Sequence, residues 1–228
     1  MVDTKTRSLL LLILGVLITS VIVVSYLLRQ PHSAPAINGV LIQQTQSLPN
    51  FTLIDHQQHE FTKDNLRGRW HFIAYGYTHC PDICPVTLSI LSTLIKRLGH
   101  DLTDTGVIFY SVDPQRDTPQ HLAKYVPYFH QDFIGVTYAQ TADSHLAFEK
   151  GLGIVYELPS SDAQGNAYDE ANYPVNHGTT IYLLNPSGNL QAIFTPDFDD
   201  NGMLVFSAEL LYADYLAIRA YLDKHQTL

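Results

Sequence analysis

The sequence predicts an α/β domain built as a three-layer sandwich, with a mainly parallel sheet between layers of helices. Apolar segments typical of strands alternate with amphipathic segments typical of helices, as in proteins built from β–α–β units. The segment Trp70–Tyr77 has the near-continuous hydrophobicity of a buried strand. A closing hairpin across Asn185–Asn189 adds antiparallel strands, which makes the predicted sheet mixed.

These elements follow one another along one domain of about 180 residues, which is long enough to bury its own core. The helix after the longest strand has Leu88, Leu91 and Leu94 on one face, and Gly99 ends it. The next helix starts at Pro119, with Thr118 as its predicted N-cap. Strands are predicted at residues 51–55, 60–62, 70–77, 106–112, 133–138, 179–184 and 190–194, and helices at residues 85–98, 119–127, 142–150 and 208–222.

The N-terminus predicts one transmembrane helix in front of this domain. Residues 8–28 carry no charge, and about 20 such residues suffice to cross a bilayer as a helix. Lys5 and Arg7 precede this run, whereas the chain after Arg29 has no Lys or Arg until Lys63. This asymmetry keeps the N-terminus in the cytoplasm and exports the rest of the chain.

The alternative for this segment is a cleaved signal peptide, with Ala34-Pro35-Ala36 as its small-residue site. We favour the anchor because the apolar run exceeds the ~7–15 residues of a signal-peptide core. The predicted organisation is a cytoplasmic stub and anchor over residues 1–29, a tether over 30–48 and a folded domain over 49–228. The chain is then a single-pass protein of the inner (cytoplasmic) membrane, and its domain faces the periplasm, where disulfides can persist.

The charge of the chain excludes one class of partner. Lys and Arg number 13 against 22 Asp and Glu, which gives a net charge of −9. Because nucleic-acid phosphates require a basic face on the protein, we expect no nucleic-acid binding.

Cys80 and Cys84 are the only cysteines of the chain, and they lie at the turn from the most apolar strand into a helix. Three uses stay open for them: a structural disulfide, a redox-active dithiol or a soft-metal chelate. A bridge across so short a loop would stabilise the fold only weakly. Cys84 directly precedes Pro85 and is the predicted helix N-cap, where the helix dipole favours a thiolate. The spacing is one residue longer than the usual Cys-x-x-Cys redox motif.

A metal site on this pair would need a third ligand. Thiolates select Cu(I), zinc or iron–sulfur chemistry, and two cysteines alone do not complete a zinc site. His177 is the candidate among the 11 histidines, because it directly precedes the apolar strand predicted at residues 179–184. Its loop can fold beside the N-terminus of the helix that carries Cys84. The alternative is an ordinary solvent-exposed loop histidine.

Three stretches of the sequence carry a family resemblance. They are Gly76-Tyr-Thr-His-Cys80-Pro-Asp-Ile-Cys84-Pro85, Ser111-Val-Asp-Pro-Gln-Arg-Asp-Thr-Pro119 and Val175-Asn-His177-Gly-Thr-Thr-Ile-Tyr-Leu-Leu184. In this order and spacing, from about Leu48 to Tyr221, the chain resembles the SCO/SenC family of thioredoxin-fold copper proteins. The resemblance implies a thioredoxin-like three-layer sandwich with a central mixed sheet, and the family's membrane anchor matches the predicted N-terminal transmembrane helix.

The resemblance also implies copper, as Cu(I) or Cu(II), bound by Cys80, Cys84 and His177. It implies delivery of that copper to the dinuclear centre of cytochrome c oxidase subunit II, or reduction of that subunit's cysteines. We therefore interpret the chain as a copper metallochaperone, whose partners include that subunit, other copper or thiol-reducing proteins and the membrane. The alternative is a thiol–disulfide oxidoreductase that uses Cys80 and Cys84 as a catalytic dithiol without metal. The family commonly has Asp before the ligand histidine, where this chain has Asn176.

Two acidic residues fall in the second of these stretches. We interpret Asp113 as part of a turn with Pro114, and Asp117 as the residue in front of the Thr118 helix cap. The alternative is a partner-docking role for Asp113.

Overall fold

The structure is a computed structural model of the chain. It describes residues 3–28, 33–99, 103–139, 143–158, 161, 169, 173–198, 202 and 204–226. Two compact units are present, Met1–Pro35 and Ala36–Leu228.

The first unit contains helix α1 (Thr4–Leu28), which covers the predicted anchor. Its side chains between Leu11 and Val24 are exposed. Among the residues that the structure describes, no helix is both long enough and apolar enough to cross a membrane. The transmembrane anchor over residues 1–29 therefore stays a prediction.

The second unit is the α/β domain. In chain order its elements are β1 (Val40–Leu41), β2 (Thr52–Asp55), β3 (Glu60–Thr62), a short 3-10 turn (Lys63–Leu66), β4 (Trp70–Gly76), α2 (Ile83–Leu98), β5 (Thr105–Ser111), α3 (Pro119–Phe129), β6 (Ile134–Thr137), α4 (Ser144–Leu152), β7 (Tyr156–Glu157), β8 (Asn176–His177), β9 (Ile181–Leu184), β10 (Leu190–Phe194), β11 (Asp197–Phe198), β12 (Leu204–Val205) and α5 (Ala208–Gln226). The predicted alternation of strands and helices is confirmed.

Eight of the described strands form one sheet in the order β1-β10-β9-β4-β5-β6-β2-β3. Strand β4 pairs in parallel with β5 along its whole length, and β5 pairs in parallel with β6. On the other side of β4, strand β9 runs antiparallel, with Ala74 opposite Ile181. The sheet is therefore mixed, as predicted. Two separate antiparallel ladders, β7–β8 and β11–β12, lie outside it.

Strand β4 lies between two hydrophobic cores, and all of its residues are buried. Phe72 and Ala74 belong to the core formed with α2, α3 and α5. Ile73 and Tyr75 belong to the core on the opposite face of the sheet, which includes Phe148 of α4. This burial on both faces explains why the segment reads as continuously apolar, and it holds the end of β4 rigidly.

The domain begins earlier than the sequence predicted. Part of the predicted tether over residues 30–48 belongs to the sheet, because β1 pairs with β10 and the Gln191 side chain donates to the Ile42 carbonyl at 2.9 Å. Leu48 is buried in the core. Such a short edge strand is held mainly through its backbone, and two residues are too few to show a strand pattern.

Helix boundaries also differ in places. Helix α2 begins at Ile83 rather than Pro85, and α3 continues through Pro127 to Phe129. The predicted N-cap of α3 is confirmed, since the Thr118 hydroxyl accepts a hydrogen bond from the His121 amide at 3.3 Å.

Candidate metal centre

Both cysteines lie at the point where β4 gives way to α2. Residues 77–82 form the connecting loop, so Cys80 is in the loop and Cys84 is the second helical residue. Both are free thiols, 9% and 3% exposed respectively. The prediction of Cys84 as N-cap is wrong: the N-cap is Asp82. Pro85 still falls in the first turn, where a missing N–H breaks no helical hydrogen bond.

The structure brings His177 next to this pair. His177 Nε2 lies 3.6 Å from Cys84 Sγ, and one ligand atom from each of Cys80, Cys84 and His177 lies within 4.8 Å of the others. A metal with bonds of about 2.3 Å to sulfur and 2.0 Å to nitrogen separates these two ligand atoms by about 3.5–3.7 Å. The spacing of Cys84 and His177 therefore fits one shared metal ion.

The histidine ring is oriented by its own backbone neighbour. His177 Nδ1 lies 2.8 Å from the Gly178 carbonyl oxygen, which can only accept a hydrogen bond. Nδ1 therefore carries the proton, and the lone pair of the neutral imidazole is on Nε2, the atom that faces Cys84. A metal ligand needs this tautomer, and such a backbone partner is what usually selects it.

The two thiols differ strongly in acidity. A hydrogen bond from the Cys84 thiol lowers the pKa of Cys80 to about 3, although partial burial opposes the shift; the backbone N–H groups of Cys84 and Asp82 lower it further. The same hydrogen bond, together with deeper burial, raises the pKa of Cys84 well above its ordinary value. The pair therefore holds one proton at neutral pH, with the thiolate on Cys80. Because α2 starts before Cys84, the helix N-terminus points its amides at Cys80 instead.

The floor of the site depends on the absence of a side chain at Gly76. A Cβ atom there would lie 2.3 Å from Cys84 Sγ, which is too close for real atoms, and 3.3 Å from His177 Cε1, which is a tight contact. The rings of Tyr75 and Tyr77 flank the imidazole, with centroids 5.8 and 5.7 Å from that of His177. Sequence analysis did not assign these three residues to the site, although Gly76 and Tyr77 begin the first stretch of the family resemblance. Another signal in the sequence is the Tyr-Gly-Tyr run at the end of a buried strand.

The cysteine loop is tied to the end of β5 by Asp117. This carboxylate is fully buried and accepts hydrogen bonds from the Thr78 amide at 2.9 Å, the Thr78 hydroxyl and the Ser111 hydroxyl at 2.6 Å. Three bonds to one carboxylate fix the loop that precedes Cys80. Our interpretation of Asp117 as part of a helix cap therefore misses its main contacts.

The histidine side of the site is held by a polar clasp of Asp113, Arg116 and Tyr173. Arg116 forms a buried ion pair with Asp113 and donates to the Tyr173 carbonyl at 2.8 Å. The Tyr173 hydroxyl donates to Asp113 at 2.5 Å, and the Arg116 guanidinium lies 3.6 Å from the centroid of the Tyr173 ring. The clasp thereby fixes the segment that leads into His177. Asp113 is 0% exposed, so in this arrangement it is not available as a docking residue.

Asn176 precedes the histidine in the two-residue strand β8. In this ladder Asn176 is opposite Glu157, and His177 is opposite Tyr156. Asn176 itself is exposed. The departure from the family's usual Asp thus lies at the surface rather than among the ligand atoms.

The arrangement defines a class of protein: an α/β sandwich that presents one thiolate, one thiol and one imidazole around a shared point. Such donors suit a soft or borderline metal ion, and the same dithiol can be oxidised to a disulfide. Among the described residues, one other cluster has metal-binding spacing, formed by His79, Asp117 and His121.

Comparison with known proteins assigns the family. The SCO1/SenC family model matches residues 41–209. A mitochondrial SCO2 homolog of Mus musculus is 34% identical over 162 residues, which cover 70% of this chain and 59% of the relative. A SCO2-like protein of Rickettsia prowazekii is 34% identical over 149 residues, or 64% of this chain and 68% of that protein. The chain therefore belongs to the SCO1/SenC family.

Solved structures agree with this assignment. The structure of Arabidopsis thaliana ScoI with copper bound is 28% identical, has a TM-score of 0.62, and the match covers 77% of this chain and all of that one. Another neighbour belongs to the Sco family of cytochrome c oxidase assembly proteins, and a disulfide switch was identified in it. It is 17% identical and has a TM-score of 0.57, and the match covers 78% of this chain and 96% of that one. At this identity the similarity supports the fold alone. The thioredoxin-like fold is thus established.

Proposed function

We propose that this protein is a copper metallochaperone that carries copper on Cys80, Cys84 and His177. The single observation that carries the proposal is the convergence of these three donors at the end of β4. Two sulfurs and one imidazole suit copper in both oxidation states, since thiolates favour Cu(I) and imidazole also suits Cu(II). Copper bound by the Arabidopsis relative supports the choice of this metal.

The site is built to hand its metal on rather than to keep it. Cys84 lies in the core, whereas His177 is only half-buried and rests on the two-residue strand β8. An incoming ligand can therefore replace the imidazole first, while the sulfurs still hold the copper. The thiolate on Cys80 needs no proton loss before it binds the metal.

The acceptor that we propose is the dinuclear copper centre of cytochrome c oxidase subunit II. This proposal rests on the family resemblance and on the oxidase-assembly role stated for the family of one structural neighbour.

We further propose that the N-terminal segment anchors the chain in the inner membrane and that the domain faces the periplasm. The uncharged run over residues 8–28, with Lys5 and Arg7 before it, supports this orientation.

A second candidate function is favoured by the unequal acidity of the two thiols. In a thiol–disulfide reductase, the Cys80 thiolate attacks an acceptor disulfide and forms a mixed disulfide, with one acceptor thiolate released. Cys84 then loses its proton and attacks Cys80, which releases the second acceptor thiol and leaves a Cys80–Cys84 disulfide. The acceptor gains two electrons and this chain loses two. Oxidised in this way, the chain has no thiolate to offer copper.

Copper transfer to a purified subunit II domain separates the two functions. The copper-loaded chain should metallate a reduced acceptor, and the metal-free reduced chain should reduce an oxidised one. We expect His177→Ala to impair the first reaction and spare the second, because disulfide exchange does not use the imidazole. Reduction without metallation by the wild type would instead assign the protein as a reductase.

A further inference from the structure

A second cluster of metal-binding side chains lies on the outer side of the cysteine loop. It consists of His79, Asp117 and His121, and one ligand atom from each lies within 4.8 Å of the others. His79 follows strand β4, whereas Asp117 and His121 flank the start of helix α3 at a spacing of four residues. The topology of the sheet brings both segments to the same edge, because β4 and β5 are parallel neighbours.

The two imidazoles of this cluster are exposed and close to each other. Their rings stack with centroids 5.7 Å apart and an interplanar angle of 17°. A tetrahedral ion with bonds of about 2.0–2.1 Å separates its ligand atoms by about 3.3 Å. Small rotations of two exposed side chains toward Asp117 would close the remaining distance.

The carboxylate in the cluster can act as the third ligand. Asp117 is 0% exposed, and in the described part of the chain no Lys or Arg pairs with it. Its Oδ2 accepts two hydrogen bonds, but its Oδ1 accepts one, from the Thr78 hydroxyl, so a lone pair on Oδ1 remains. A buried negative charge is stabilised by a cation, and a metal ion at this position would supply one.

We propose that His79, Asp117 and His121 form a second metal site, which binds a borderline divalent ion such as Zn²⁺. Two imidazoles and one carboxylate suit such ions, whereas the thiolates of the first site favour Cu(I). Three protein ligands leave a fourth position open to water or to a partner's side chain. The proposal does not depend on the copper-chaperone function. The Thr78 hydroxyl lies 3.2 Å from His79 Nδ1. His79 must therefore bind the metal through Nε2, or lose this contact if Nδ1 is the ligand.

Zinc binding to the full chain with Cys80→Ser and Cys84→Ser tests the proposal, because these changes remove the soft ligands of the first site. We expect one Zn²⁺ per chain by calorimetry, and an added His121→Ala should weaken its binding at least about tenfold. The matched control is His59→Ala, since His59 is exposed and lies 3.5 Å from the Asp55 carboxylate but is outside the cluster. Undetectable zinc binding, or equal losses in both variants, would overturn the proposal.

A cobalt titration of the reduced wild-type chain avoids cysteine substitutions. Co²⁺ at the first site gives sulfur-to-metal charge-transfer absorption, whereas Co²⁺ on imidazole and carboxylate ligands does not. We expect a second equivalent without this absorption, and we expect His121→Ala to lose only that equivalent. A single equivalent in the wild type would contradict the second site. Copper transfer by His121→Ala reports separately on the chaperone function.

Discussion

The two halves of the proposed metal centre are held by different means. The cysteine half lies at the end of β4, whose residues are all buried, and Cys84 itself packs into the core. The histidine half rests on β8, a two-residue strand paired with β7, and on the clasp of Asp113, Arg116 and Tyr173. Hydrophobic packing therefore positions Cys84, and the hydrogen bonds to the buried Asp117 add to it at the loop of Cys80. The histidine is positioned by a few polar contacts at the surface.

This difference indicates which half of the site opens first. Segments with little buried apolar surface open locally at a lower free energy than the core does. The imidazole can thus move while the sulfurs stay in place, which suits a protein that binds a metal and then releases it. Three substitutions or measurements test the comparison, in order of decreasing expected effect.

The largest expected effect is the difference in pH dependence between the alkylation of Cys80 and that of an ordinary thiol. Alkylation of an ordinary thiol with a pKa of about 8.5 slows roughly 800-fold between pH 8 and pH 5, because its thiolate is lost. Since the pKa of Cys80 is lowered to about 3, its alkylation by iodoacetamide should change less than about twofold over this range. Mass spectrometry of the metal-free reduced chain identifies the modified residue. A steep fall toward pH 5 would show that the hydrogen bond from Cys84 does not hold the thiolate.

Gly76→Ala should disrupt both halves at once. The added Cβ would overlap Cys84 Sγ and crowd His177, so we expect copper affinity to fall at least about 100-fold. The matched control is Gly106→Ala in the neighbouring strand β5, where the nearest atoms to an added Cβ are 3.8 Å away. Competition with a chromogenic copper chelator measures both variants. Equal affinity in the two variants would mean that Gly76 does not set the spacing of the site.

Tyr173→Phe should affect the histidine half alone. The change removes the hydroxyl that donates to Asp113 but keeps the ring that stacks on Arg116. We expect Cu(II) affinity to fall about tenfold, as for other partners that orient a metal ligand, with the alkylation of Cys80 unchanged. Tyr128→Phe is the control, because Tyr128 is 84% exposed. If Tyr173→Phe slowed alkylation instead, the two halves would not be independent.

Much of the fold could be predicted from sequence, because its main elements have strong local signals. The buried strand β4, the apolar face of α2 and the Thr118 cap all follow from hydrophobic periodicity and local hydrogen bonding. The short strands β1, β7 and β8 could not, since two residues paired through the backbone leave no periodic pattern.

The convergence of the three predicted site residues could be anticipated from sequence, but the contacts that support them could not. Cys80, Cys84 and His177 were identified from residue type, position and family resemblance. The clasp was not, because Asp113, Arg116 and Tyr173 are joined by tertiary contacts that sequence spacing does not show. The acidity of Cys80 was assigned to the wrong thiol, since it depends on where α2 begins, and helix boundaries are the least predictable feature.

The central claim is that His177 completes a Cys₂His copper site. Pulsed EPR of the Cu(II) form tests it most directly, because the technique detects the remote nitrogen of a coordinated imidazole. Loaded with one equivalent of copper in a His79→Ala/His121→Ala background, so that the second cluster supplies no imidazole, the chain should show one imidazole. Adding His177→Ala should remove that signal while keeping thiolate-to-copper absorption and disulfide-exchange activity. An unchanged imidazole signal in His177→Ala would contradict the account, since another residue would then be the third ligand.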